Sequence, residues 1–169
     1  SFPALESIKH VESFKPNPKK LAEEKVEKDY VVLTQMPDYK DDPRWLSKEK
    51  QQELINEKSL KFLRPYQLKA IYALQESVEK GSDRFLFEMA TGTGKTLIAA
   101  AIIKLFLKTG NATRVLFLVD RLELEDQAYK NFVRYLKNDF TSVIYKENRN
   151  NWNHAEIVVS TVQSLSIDN

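Results

Sequence analysis

"RFLFEMATGTGKTLIAA", residues 84–100, holds two of the four glycines in a chain of 169 residues, one position apart and directly before a lysine. The apolar run ahead of the pair is short and reads as a strand. The run after it, "KTLIAAAIIKLFLKTG", is apolar almost all round except at Lys104 and Lys108, the pattern of a helix packed deep against a sheet. Gly92 and Gly94 therefore sit in a strand-to-helix turn. A tight turn that needs positive φ accounts for the glycines but leaves Lys95 and Thr96 unexplained. With glycine at about 7% of residues, G-x-G-K-[ST] arises by chance in such a chain on the order of once in a hundred. Its placement between a strand and a helix makes chance rarer still.

A phosphate cradle accounts for every residue. Successive backbone N–H groups can curl round an anion only where no Cβ intervenes, which asks for glycine. The helix that starts at Lys95 aims the positive end of its dipole at the same place. Lys95 supplies a mobile cation for the outer phosphates, and the Thr96 hydroxyl suits Mg²⁺. The expected nucleotide loop is Met89, Ala90, Thr91, Gly92, Thr93, Gly94, Lys95 and Thr96, with Lys95 as its catalytic residue and Thr96 as its metal contact.

Outward from the loop, strands and helices alternate. Upstream, "RPYQLKAIYALQESVEKG" places Pro65 in a first helical turn and repeats Leu68, Ile71, Leu74 and Val78 at intervals of three and four. Downstream, "RVLFLV" does not alternate and reads as a strand buried on both faces. "RLELEDQAYKNFVRYLK" reads as a helix with acids early and bases late, and "TSVIY" and "EIVVST" as strands joined by a polar loop, "KENRNNWNH". Such an order implies an α/β fold: a parallel sheet with helices on both faces. The sheet makes strand ends interesting, because ligands of open α/β sheets collect there. Asp120 and Arg121 follow one strand and Thr161 and Gln163 another, so these residues stand where such a ligand would collect.

The first 58 residues differ in texture. Five of the six prolines fall before residue 45, and the segment is rich in lysine and glutamate with scattered apolar positions. This segment is expected to be a linker or wrapping arm with short surface helices near 19–29 and 46–57, held by Trp45, Leu46 and Leu54. The absence of cysteine rules out disulfides and thiol chemistry. No apolar run approaches a bilayer-spanning length, and the N-terminus lacks the apolar core of a signal peptide. A net charge of +2 neither favours nor excludes a nucleic-acid partner. His10 and His154 have no partner pattern and read as surface residues.

Met89 stands where the P-loop pattern G-x-x-x-x-G-K-[ST] has its first glycine, which argues against nucleotide kinases and small GTPases. "MATGTGKT" without that glycine resembles motif I of superfamily-two helicases and translocases. "LRPYQLKAI" resembles their Q motif, "VLFLVDRLELEDQ" motif Ia, and "IVVSTVQSL" the T-x-Q segment before the Walker B strand. Taken together, residues 60–165 most resemble the motor (R) subunit of type I restriction enzymes, with type III subunits next. This resemblance implies a RecA-like P-loop NTPase fold: an arm over 1–58, then a first motor domain over 59–169 that stops before Walker B. ATP and Mg²⁺ are the implied cofactors. Arg64 and Gln67 join the nucleotide site, Gln67 as the adenine reader, while Arg121, Thr161 and Gln163 are the implied DNA contacts. The implied protein is an ATP-dependent translocase on double-stranded DNA in the cytoplasm of a bacterium or archaeon. Its partners are methylase and specificity subunits, and no membrane is involved. No acidic Walker B pair follows a strand in this chain, so the piece itself is expected to be inactive. Another DNA repair or RNA helicase of the same superfamily, or a non-catalytic nucleotide-binding module, remains an alternative.

Overall fold

The computed structural model describes residues 14–166. His10 and the rest of residues 1–13 lie outside that range. Three parallel strands form the sheet: β1 (Val115–Val119), β2 (Ser142–Ile144) and β3 (Ile157–Thr161), in the order β1-β3-β2. Val115 to Val119 pair with Ile157 to Thr161, and Ser142 to Ile144 pair with Ile157 to Val159. The central position of β3 follows from its composition, since "IVVST" is buried at every residue.

Seven α-helices lie among the described residues. α1 (Pro18–Glu23), α2 (Val32–Gln35) and α3 (Lys48–Lys58) belong to the N-terminal segment. α4 (Pro65–Glu79) follows, with Pro65 in its first turn and Ile71, Leu74 and Val78 on its buried face. α5 (Lys95–Lys108) packs on α6 (Leu122–Leu136), and α6 lies across all three strands. Phe132 of α6 meets Phe117 of β1 edge to face, with ring centroids 4.8 Å apart. A short α7 (Val162–Ser166) leaves the end of β3.

Two of the expected strands differ from their sequence patterns. β1 is not buried on both faces: Val115, Phe117 and Val119 turn towards α6, while Leu116 and Leu118 remain about half exposed. The second face is only partly covered, around Leu116 and Val158, by Tyr145, Trp152 and Leu165. The run "RFLFEM" also forms no ladder with any strand among the described residues. It keeps a strand's alternation, with Phe85, Phe87 and Met89 packed against the core and Leu86 exposed. Alternation is a local property, whereas a strand also needs a neighbour to complete its hydrogen bonds.

The N-terminal segment enters the core. Leu21, Val26, Tyr30 and Val31 are buried in the same apolar cluster as Ile71, Leu105 and Phe132. Polar side chains of the later helices hold its backbone. Gln75 Nε2 donates to the carbonyls of Leu21 at 2.9 Å and Glu24 at 2.8 Å, and Tyr72 donates to that of Val26 at 2.8 Å. Lys104 is buried beneath this segment, with its Nζ donating to the Tyr30 carbonyl at 2.6 Å and lying 4.4 Å from the Tyr30 ring centre. The helix α5 is apolar almost all round because α4 and α6 pack on it and this segment covers a further side. A second cluster gathers Val32, Tyr39 and Leu60 with Trp45 and Phe62. Of the three expected anchors, Leu54 is fully buried and Trp45 joins this aromatic cluster, but Leu46 is 89% exposed.

Candidate nucleotide-binding site

The loop before α5 owes its shape to its two glycines. Gly92 has φ of +77°, and Gly94, the N-cap of α5, has φ of +84°. Side chains with a Cβ are penalised in that region, so the sequence places residues without one there. Thr93 Oγ1 donates to the Ala90 carbonyl at 2.6 Å and closes the turn. Thr91, Gly92 and Lys95 are exposed, and Thr96 is half-buried in the first turn of α5. Met89 packs against the core at the base of the loop, and Ala90 is exposed. An open loop of this kind, at the N-terminus of a fourteen-residue helix with an exposed lysine and a hydroxyl behind it, fits a polyphosphate.

The start of α4 supports the loop from below. Gln67 is fully buried, and its Nε2 donates to the carbonyls of Thr93 and Gly94, each at 3.2 Å. Its Oε1 accepts from the Arg64 backbone N–H at 2.8 Å, and the Tyr66 hydroxyl donates to the Thr93 carbonyl. A Cβ on Gly94 would lie 2.6 Å from Gln67 Nε2. Gly94 is thus required twice, once for its φ and once for the approach of Gln67. The amide expected to read adenine is bonded to the glycine loop, whose carbonyls face it. Arg64 begins α4 with an exposed side chain. The sequence alone does not single out Tyr66. Its only local mark is its place beside Gln67, and its partner lies 27 residues away.

A second group of candidates meets at the carboxyl ends of β1 and β3, where Val119 pairs with Thr161. Arg121 is exposed at the N-cap of α6, with Asp120 as a loose, equally exposed neighbour at 3.9 Å. Gln163 is exposed in α7. Thr161 corrects an expectation, because it is fully buried and does not display its hydroxyl. That hydroxyl lies 2.8 Å from Ser164 Oγ and accepts from the Ser164 backbone N–H at 3.2 Å, so it caps α7 and orients the turn that carries Gln163. His154 is exposed in a short 3-10 turn, Trp152–His154.

No helix among the described residues is long and apolar enough to cross a membrane. No group of three His, Asp or Glu side chains among them could hold a metal ion unaided.

Comparison with known proteins converges on restriction enzymes. The chain is 46% identical over 80 residues to the type I restriction enzyme EcoAI endonuclease subunit of Escherichia coli, covering 47% of this chain and 10% of that protein. It is 37% identical over 108 residues to the EcoKI endonuclease subunit of Escherichia coli strain K12, covering 61% and 9%. It is 34% identical over 87 residues to the SauCOLORF180P endonuclease subunit of Staphylococcus aureus strain COL, covering 50% and 9%. The chain thus spans about a tenth of the length of these relatives. No solved structure matches it. The family model described as "Type III restriction enzyme, res subunit" matches residues 60–169, which take in the glycine loop, the helix beneath it and all three strands, and the chain belongs to that family.

Proposed function

We propose that this chain is the nucleotide-binding front part of the first motor domain of an ATP-driven DNA translocase, in the restriction (R) subunit of a type I restriction enzyme. The observation that carries the proposal is the glycine loop at the head of α5, buttressed by Gln67 and Tyr66 and followed by Lys95 and Thr96. The relatives' names support the restriction assignment, and the family supports nucleotide binding.

In this proposal ATP lies against residues 89–96. Lys95 neutralises charge on the outer phosphates, and Thr96 offers its hydroxyl to Mg²⁺. The ion supplies charge neutralisation for phosphoryl transfer. Arg64, exposed at the head of α4, joins the nucleotide site, and Gln67 holds the loop in shape. Arg121 and Gln163 face the backbone of double-stranded DNA across the strand ends, and Thr161 fixes the turn that carries Gln163. Methylase and specificity subunits are the proposed protein partners, and the bacterial cytoplasm the proposed location. Hydrolysis needs a carboxylate pair to hold the ion and orient water, which these residues do not include, so residues 1–169 alone bind ATP without turning it over.

Titration with a fluorescent ATP analogue tests the assignment. Lys95→Ala should lose about tenfold or more in affinity while keeping the circular dichroism of the parent, since only a phosphate-facing cation is removed. Unchanged binding would sink it. Lys95-dependent phosphate release by residues 1–169 would refute the inactivity of the isolated chain.

A further inference from the structure

Glu125 is a fully buried carboxylate one turn into α6, and nothing in the nucleotide site uses it. Taking a carboxylate out of water is costly unless its oxygens are matched, and an apolar side chain of similar size would fill the same space without that penalty. An acid is favoured near the N-terminus of a helix, but exposed Glu123 already meets that preference in the same turn. The burial of Glu125 needs a reason of its own.

Its partners supply one. Glu125 Oε2 accepts from the Thr161 backbone N–H at 2.9 Å, and Oε1 lies 2.9 Å from Lys146 Nζ. Its own backbone N–H donates to the Arg121 carbonyl at 3.1 Å. β2 stops opposite Val159, and the carboxylate provides an acceptor two residues further along β3, where no β2 residue is paired. One residue therefore joins the N-cap of α6, which carries Arg121, to the end of β3, from which the Gln163 turn leaves. Lys146, just past β2, balances the charge.

We propose that Glu125 is a positioning residue that sets the spacing between Arg121 and Gln163 and so determines how the two strand ends engage DNA together. This rests on Arg121 and Gln163 being DNA contacts. The experiment uses the full-length subunit with linear duplex DNA as the probe. Two quantities are read: the DNA concentration that half-maximally stimulates ATP hydrolysis, and the affinity for a fluorescent ATP analogue. Glu125→Met fills the space without an acceptor and should raise the half-saturating DNA concentration about tenfold, with ATP affinity within about twofold. Glu125→Gln keeps an acceptor for Thr161 and should recover most of that loss. An unchanged DNA response in Glu125→Met, or an equal loss of ATP affinity and DNA response, overturns the proposal. Should Glu125→Met fail to fold, the double variant Glu125→Gln/Lys146→Met keeps the acceptor and removes both charges. It should respond to DNA like the parent, and a tenfold loss would overturn the proposal. Arg121→Ala and Gln163→Ala separate the two levels. If both leave the DNA response unchanged, the DNA-contact assignment fails and the role of Glu125 falls with it. If both weaken it while Glu125→Met does not, only the role of Glu125 is wrong.

Discussion

Gly92 and Gly94 look alike in the sequence and differ in what surrounds them. Nothing lies within 4 Å of a Cβ added to Gly92, so Gly92→Ala pays only for its φ, about 1–2 kcal/mol. At Gly94 the same change adds a clash with Gln67 Nε2 and breaks the bonds that hold Thr93 and Gly94. Gly94→Ala should therefore weaken ATP binding more than Gly92→Ala. Its effect should be non-additive with Gln67→Ala by about 1 kcal/mol or more, because the two residues are in contact. A double-mutant cycle read by analogue titration checks this, and strict additivity would mean that Gln67 does not brace the loop. The turn itself was legible, because two glycines ahead of a helix show in a short run of neighbouring residues. The bracing was not, because Gln67 and Tyr66 find their partners 26 or 27 positions away, a closeness that only the packing of α4 beside α5 creates.

Among the elements, α5 shows how far periodicity carries and where it stops. Its bounds follow from Gly94 and Gly110, and its buried character from an apolar run interrupted only by Lys104 and Lys108. What periodicity could not tell is that Lys104 lies beneath Tyr30 rather than in water. Burial lowers the Lys104 amine from its ordinary 10.5 to about 8. Between pH 8 and 10.5 the unfolded chain still holds this proton and the folded chain does not, so stability rises with pH in that window. Burial pushes the Tyr30 hydroxyl well above its ordinary 10, which reverses the slope beyond pH 10. Urea unfolding of the chain should show a gain of about 1–3 kcal/mol between pH 8 and 10, and Lys104→Met should flatten it. An equal slope in Lys104→Met would place the titrating group elsewhere. The strand readings divide for a similar reason. The lengths of β1, β2 and β3 were visible as apolar runs, but which of them found neighbours, and which face of β1 stayed open, depended on elements distant in sequence.

At the scale of the whole molecule the N-terminal segment departs furthest from its sequence. Proline, lysine and glutamate give it the composition of a tail, and its few apolar residues are spaced too irregularly to announce a buried face. Yet Leu21, Val26, Tyr30 and Val31 close the core above α4 and α5, where Gln75, Tyr72 and Lys104 satisfy the backbone carbonyls that pass over them. Each such side chain contributes about 1.5–3 kcal/mol on burial, so the four together supply about 6–12 kcal/mol. A whole domain is stable by about 5–15 kcal/mol, which leaves little margin without them. Deleting residues 1–58 should therefore abolish cooperative unfolding of the chain rather than lower its midpoint by a few degrees, and ATP binding should go with it, because α5 would expose its second apolar side. Limited proteolysis gives an independent reading. Cuts in 20–60 should be as slow as cuts in α4 and α6 and should quicken when Val31 or Leu21 is replaced by aspartate. A deletion variant that unfolds cooperatively and binds the ATP analogue with the parent's affinity would show that residues 60–166 hold their core without the segment that covers it.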